Sequence, residues 1–230
     1  MNRLTVIVIT LLVTVALAGC LLLTSVQLAA FDMSFYERAY DRYNLLRTTG
    51  LTKRDYLNLS ENILLYLNGQ RDYLYNRAVI YGGNKYLFNQ KELLHMEDVK
   101  NLFVRGYMIR NISFVSLILL MFASIRLSRG SKRHAGVSLF RGSIVLFVAT
   151  SLSMLLLYTD FYRYFTDFHH LFFTNDLWLL NPETDLLINM YPLEFFNQMA
   201  VRIVLYFTVQ LMAIASLGYF ISRPEKAPLN

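Results

Sequence analysis

Residues 4–31 read LTVIVITLLVTVALAGCLLLTSVQLAAF, an unbroken run with no charged side chain. A helix needs roughly 20 apolar residues to cross the ~30 Å hydrocarbon core, so this run spans a bilayer with length left for tilt. A rival reading takes Met1, Asn2 and Arg3, then an apolar run ending Leu17, Ala18, Gly19 and Cys20, as a lipoprotein signal peptide. The residues beyond Cys20 oppose it. LLLTSVQLAAF stays apolar where a cleaved lipoprotein would begin a polar tether. The run is read as an uncleaved first span.

Three further spans lie at 112–127 (ISFVSLILLMFASIRL), 137–159 (VSLFRGSIVLFVATSLSMLLLYT) and 200–222. Orientation comes from the short connection around residues 126–141, with Arg126, Arg129, Lys132, Arg133 and Arg141 and no acid. Short basic loops stay in the cytoplasm, which puts the loop 128–136 there. Arg3 at one terminus and Arg223 with Lys226 at the other fall on the same side. Both termini are therefore expected in the cytoplasm, and segments 32–111 and 160–199 outside. The expected fold is an all-α integral membrane protein of 230 residues, a single membrane domain with four transmembrane helices and a mainly helical extracytoplasmic domain.

Composition agrees with lipid: 55% of residues are hydrophobic and 17% charged, against about 25% charged in soluble domains. The net charge of +6 is spread among aromatics, with no basic run longer than two. That pattern suits a membrane surface better than nucleic acid. The lone cysteine, Cys20, lies in the first span, so neither a disulfide framework nor thiol catalysis at the outer face is available.

Within the long outer segment, Thr52 followed by Asp55 opens a helical pattern through Leu59, Ile63, Tyr66 and Leu67 that stops at Gly69, giving a helix over 53–67. Val79–Tyr81 and Tyr86–Phe88 flank Gly82, Gly83 and Asn84 as a small β-hairpin. Asn89 with Glu92 makes a capping box for a helix to about 105, ended by Gly106. The second outer segment has no clean period. It is dense in Phe and Tyr, holds the only Trp, Trp178, and is broken by Pro182 and Pro192. Short helical pieces and turns at the lipid interface are expected there.

The chemistry rests with histidine, the side chain that titrates near neutrality. His134 lies in the basic loop and reads as one more cationic group near lipid headgroups. His95 has Asp98 one turn on, a carboxylate able to orient the ring. His169 and His170 are adjacent, so on a regular element only one faces a given site. A metal site from His95, one of the pair and Asp176 or Asp185 is conceivable, but no recognised ligand spacing supports it. No phosphate-cradling glycine motif occurs, and Ser34 and Ser60, the only serines of the outer segments, lack an elbow motif. No cofactor is expected.

Two blocks, HMEDVK at 95–100 and FHHLFFTNDLWLLNPETDLLINMYPLEFF at 168–196, together with the four-span plan, resemble the bacterial lipoprotein intramolecular transacylase family, Lit. The resemblance covers essentially the whole chain. It implies an acyltransferase of the bacterial cell membrane whose partner is a diacylglyceryl lipoprotein. The sn-2 acyl chain would move to the α-amine of the lipidated cysteine, leaving a lyso-form lipoprotein. It places the family's two important histidines on His95 and on His169, which directly follows Phe168.

Under this resemblance one imidazole takes the proton of the attacking amine and the other protonates the leaving oxygen or steadies the oxyanion. His169 is assigned the first role and His95 the second; the reverse, or an acyl-imidazole, remains open. Asp98 would orient His95, and Phe172, Phe173, Trp178, Phe195 and Phe196 would shape an opening for acyl chains. Asp176 and Asp185 either cap turns around Pro182 or meet the substrate ammonium, and turn capping is favoured. Arg163 either meets a lipid phosphate or snorkels. The competing classes are a non-catalytic membrane sensor or scaffold and a metal-dependent lipid hydrolase.

Overall fold

The computed structural model describes residues 2–74, 77–80 and 83–223. Nine helices and two strands run in the order α1 (Arg3–Ala30), α2 (Met33–Arg42), α3 (Leu45–Thr49), α4 (Lys53–Leu67), β1 (Arg77–Ile80), β2 (Gly83–Tyr86), α5 (Gln90–Leu127), α6 (Arg133–Thr159), α7 (Phe161–Phe172), α8 (Leu186–Met190) and α9 (Leu193–Ser222) among the described residues. Among the described residues four helices are long and apolar enough to cross a membrane: α1, α5, α6 over Arg133–Leu155, and α9.

Contacts group the chain into two compact units. The first comprises Met1–Leu28, Tyr107–Thr159 and Val201–Asn230; the second comprises Ala29–Gly106 and Asp160–Ala200.

The first unit is a helix bundle around Ile9, Val13, Leu17 and Leu139, against which Leu117, Leu120, Met121 and Ile214 pack. Apolar packing adds little drive where the solvent is itself hydrocarbon, so small residues and polar contacts decide which helices approach. Thr10 and Ser138 share a hydrogen bond of 2.9 Å between α1 and α6. Gln210 donates to Ser25 Oγ at 2.7 Å, tying α9 to α1. Gly136 and Gly218 bring α6 and α9 so close that a Cβ on Gly218 would sit 2.7 Å from the Phe140 amide nitrogen.

The second unit has an aromatic core. Tyr36 packs edge-on to Tyr191 with centroids 6.0 Å apart, Phe195 lies 5.3 Å from Tyr36, and Tyr40 lies 5.4 Å from Tyr56. Three of these hydroxyls find partners: Tyr36 donates to the Ala30 carbonyl at 2.8 Å, Tyr40 to the Leu51 carbonyl at 2.8 Å, and Tyr191 and Ser60 share a bond of 2.9 Å. Helix α4 occupies the expected span because Thr52 Oγ1 accepts the Asp55 amide at 3.2 Å, and Gly69 leaves the helix at a φ of +73°.

The structure departs from the sequence reading in several places. Gly106 does not end a helix; α5 continues unbroken for 38 residues. A helical glycine costs about 1 kcal/mol relative to alanine. That is too little to stop a helix whose next turns run into an apolar stretch where every backbone group must be bonded internally. Helices α2 and α3 were not foreseen, although Asp32 accepting the Ser34 amide is an N-terminal signal. The aperiodic segment after 160 holds a regular 12-residue helix, α7. β1 and β2 pair antiparallel with Ile80 opposite Gly83, so Gly83 and Asn84 belong to a strand and not to the expected turn. Tyr81 and Gly82 lie outside the described residues, so the described chain holds the paired strands without the turn that would make them a hairpin.

Candidate functional site

The site is built on two helix starts within the second unit. Asn89 and Glu92 cap α5 reciprocally: Asn89 Oδ1 accepts the Glu92 amide at 3.1 Å, and Glu92 Oε2 accepts the Asn89 amide at 2.8 Å. Glu92 Oε1 also accepts the Leu187 amide at 2.7 Å, which fastens the start of α8 to the start of α5. Burial pushes the Glu92 carboxyl above its ordinary range, against the pull of the Leu187 and Asn89 amides. One turn later on the same helix stands His95, in the charged first part of α5 that precedes the apolar run at 112–127.

Asp160 Oδ1 accepts the Arg163 amide at 3.1 Å and starts α7. That helix turns His169 inward, buried, and leaves His170 exposed. The His169 and His95 rings lie 6.2 Å apart between centroids. Of the adjacent pair it is therefore His169 that meets His95, while His170 only touches the edge of Trp178 at 5.0 Å.

His169 Nδ1 lies 2.6 Å from the Phe165 carbonyl. A carbonyl can only accept, so Nδ1 carries the proton and Nε2 keeps its lone pair. The ring stacks on Trp178 at 4.8 Å and meets Phe165 at 4.4 Å and Phe173 at 5.6 Å. Phe173 also contacts His95, at 5.5 Å. Such a wall of rings excludes water. Burial, followed by the neighbouring His169, holds the His95 pKa down at about 4, with Asp98 pulling weakly the other way. Burial also depresses His169, opposed by the Phe165 carbonyl. Both imidazoles are neutral at pH 7.

The geometry departs from the expected roles of Asp98 and Phe195, and it details that of Asp185. Asp98 makes no hydrogen bond to His95: its carboxylate accepts from Asn175 at 2.9 Å, and His95 Nδ1 is buried with no partner among the described residues. The i+3 spacing puts Asp98 on the same side of α5, but the loop after α7 offers it a nearer donor. Phe195 belongs to the aromatic core, 4.9 Å from Phe35, not to a wall beside the histidines. Asp185 is buried scaffold: it accepts from the Asn181 amide at 2.7 Å, Thr184 at 2.9 Å and Asn89 at 2.7 Å. Burial opposes its ionisation, yet these hydrogen bonds prevail and hold its pKa below the usual range.

The remaining expected residues divide by exposure. Phe172 stands half exposed against Phe168 at 4.8 Å, and Phe196 backs Phe165 at 5.0 Å. Asp176 is exposed and holds its turn through its main-chain carbonyl, which accepts the Leu179 amide at 3.2 Å. Arg163 is exposed, 3.9 Å from Asp167 on the next turn, a surface pair of little energetic consequence. Phe165, Phe168 and Asn175 join the site without having been singled out from sequence. The signal for Phe165 was its i−4 spacing from His169, visible only once α7 is read as a helix. Among the described residues no group of three or more His, Cys, Asp or Glu side chains could hold a metal ion.

The family model for the lipoprotein intramolecular transacylase Lit matches residues 9–196. The chain belongs to the Lit family. It is accordingly an acyltransferase, and a multi-pass membrane protein. The fold agrees: the structure of the membrane integral lipoprotein intramolecular transacylase Lit from Bacillus cereus superposes with a TM-score of 0.80 at 23% identity, covering 96% of this chain and 97% of that one. Two variants of the Bacillus cereus Lit protein, with a histidine replaced by arginine or by alanine, match with TM-scores of 0.75 at 22% identity. They cover 94% of this chain, and 92% and 93% of their own. No curated protein matches the chain in sequence. Within the Lit fold, the two blocks that carry the sequence resemblance supply His95 from α5 and His169 with Trp178 from α7 and the loop beyond it.

Proposed function

We propose that His95 and His169 carry the family's reaction, moving the sn-2 acyl chain of a diacylglyceryl-cysteine to that cysteine's α-amine. The observation that supports this is the pairing of two neutral, buried imidazoles 6.2 Å apart on separate elements of one compact unit. The reaction is an isomerisation. An N–C bond forms at the acyl carbon, the ester C–O bond breaks, and one proton passes from the amine to the glyceryl oxygen. Ester to amide transfer runs downhill, and amine and ester share one molecule. Positioning can therefore supply much of the roughly 7–11 kcal/mol that ideal orientation provides.

His169 Nε2 is the base. Its Nδ1 proton is committed to the Phe165 carbonyl, which leaves the lone pair on the opposite nitrogen to receive the proton of the attacking amine. His95, with its pKa at about 4, stays neutral and donates an N–H to the oxygen that gains charge at the acyl carbon. The imidazolium of His169 then returns the proton to the departing glyceryl oxygen. Phe168, Leu171 and Phe172 expose apolar surface on the same helix as His169, suited to the acyl chains. The spans at 4–31, 112–127, 137–159 and 200–222 then run with both termini in the cytoplasm, and the histidine pair works at the outer face.

The test is incubation of the purified protein, in detergent or lipid, with a diacylglyceryl lipopeptide bearing a free α-amine, read by tandem mass spectrometry. Mass is unchanged by the transfer. An N-acyl, S-monoacylglyceryl fragment pattern that disappears in His95→Ala and in His169→Ala supports both the reaction and the assignment. Free fatty acid, or unchanged lipopeptide from folded protein, refutes it.

A further inference from the structure

The first unit is electrostatically one-sided. It carries ten Lys and Arg residues and a single carboxylate side chain, Glu225. At one end of the bundle, where α1 and α6 both begin, a cavity of about 400 Å³ is bordered by Arg3, Arg133, His134 and Arg141. Its remaining lining is apolar, from Val6, Ile7 and Val137. The Thr10–Ser138 hydrogen bond holds the two helices together one turn from this lining.

Arg3 and Arg133 stand in the first turns of their helices, where the macrodipole is positive and a cation is disfavoured by about 0.3–1 kcal/mol. Among the described residues no carboxylate pairs with Arg3, Arg133 or Arg141. The buried Nδ1 of His134 likewise has no hydrogen-bond partner among them. Three guanidinium groups and two positive helix ends around one cavity repel one another, and an anion between them relieves that repulsion while giving the unpartnered His134 nitrogen a neighbour to bond. Guanidinium forks match phosphate oxygens in number and geometry.

We propose that this cavity binds a phosphate anion, supplied by the headgroup of an anionic phospholipid whose glycerol and first methylenes rest on Val6, Ile7 and Val137. The apolar lining favours a lipid over free phosphate, which would leave those side chains uncovered. The site lies in a unit that does not contain the histidine pair, so it is independent of the acyl-transfer chemistry.

Native mass spectrometry of the full chain tests it, with phosphatidylglycerol or phosphatidylcholine added to the detergent-purified protein, and with inorganic phosphate added to the phosphatidylcholine sample. Preferential retention of phosphatidylglycerol, weakened roughly a hundredfold when Arg3, Arg133 and Arg141 are all replaced by Gln, is expected at about 1 kcal/mol per cation. Transacylase activity of the triple variant on a soluble lipopeptide reports that it has folded, and Arg141→Lys, which keeps the charge, should retain most of the binding. Equal retention of the two lipids, or phosphatidylglycerol binding untouched by the triple substitution, overturns the proposal. Retention of inorganic phosphate without lipid preference assigns the cavity to free phosphate and overturns the lipid assignment.

Discussion

The rings of His95 and His169 face each other at 6.2 Å with an interplanar angle of 32°, and Phe173 touches both. Two imidazoles this close in a water-poor pocket resist both becoming imidazolium, because the first added charge raises the cost of the second. The arrangement stores base capacity on one ring and donor capacity on the other without ionising either.

That shared burial predicts a pH dependence of stability. His95 binds a proton in the unfolded chain below its ordinary value of 6.5 but in the folded chain only below about 4. Between those values the unfolded state holds more protons, so stability rises with pH across the window and is lost as pH falls through it. Melting temperatures recorded from pH 4 to 7 should climb less steeply for His95→Gln than for the parent protein. An unchanged slope would mean that His95 is not held neutral by the fold.

Removal of either buried imidazole should cost about 10²–10⁴-fold in turnover, the usual contribution of a positioned acid or base. His170→Ala should stay within a few-fold, because that ring is exposed and touches only the edge of Trp178. Rates on a diacylglyceryl lipopeptide decide it. A collapse of activity in His170→Ala with His169→Ala unaffected would reverse the assignment between the neighbours.

How far the sequence disclosed this site depends on which signal each residue carries. The apolar runs announced four membrane-crossing helices, and Thr52 and the Asn89–Glu92 pair announced two helix starts, because caps and uncharged length are local properties. Helix α7 does carry the helical period, with Arg163, Thr166, Asp167 and His170 recurring at i, i+3, i+4 and i+7 opposite Phe161, Phe165, Phe168 and Phe172, but over only 12 residues it is masked by the irregular, proline-broken chain that follows. The continuation of α5 through Gly106 was hidden because a glycine stop signal is weak beside 38 residues of otherwise helix-compatible chain. Spacing suggested that Asp98 would serve His95, but spacing gives only proximity. The choice of Asn175 as its partner depends on a loop some 77 residues away in sequence.

Trp178 stacks on the face of His169 at 4.8 Å and 30°, and its Nε1 is buried without a partner among the described residues. Its ring fixes the imidazole plane that the Phe165 carbonyl fixes only along one axis. Trp178→Ala should lower kcat more than it raises KM, by about 10-fold or more, whereas Trp178→Phe should recover part of the loss by restoring a stacking face. Steady-state kinetics on the lipopeptide separate the two. If Phe rescues no better than Ala, the stack is not what positions His169.

Glu92 is 1% exposed and accepts amides from two segments far apart in sequence, Asn89 before α5 and Leu187 at the start of α8. Replacing it by alanine strands the buried Leu187 N–H, at a cost of about 1–3 kcal/mol, and frees the part-buried Asn89 N–H, which water can reach at lower cost. Against a total stability of roughly 5–15 kcal/mol for an ordinary domain, that is a large fraction. Glu92→Gln keeps one carbonyl acceptor and should lose less. Both variants should melt below the parent, alanine the lower, in a detergent thermal-shift measurement. The histidine one turn along α5 adds a second readout: with α8 released from Glu92, the start of α5 is freer to fray, and turnover per folded molecule should fall in parallel with stability. Loss of activity in Glu92→Gln at an unchanged melting temperature would instead make this carboxyl a participant in the chemistry, and its elevated pKa would then mark it as a proton carrier.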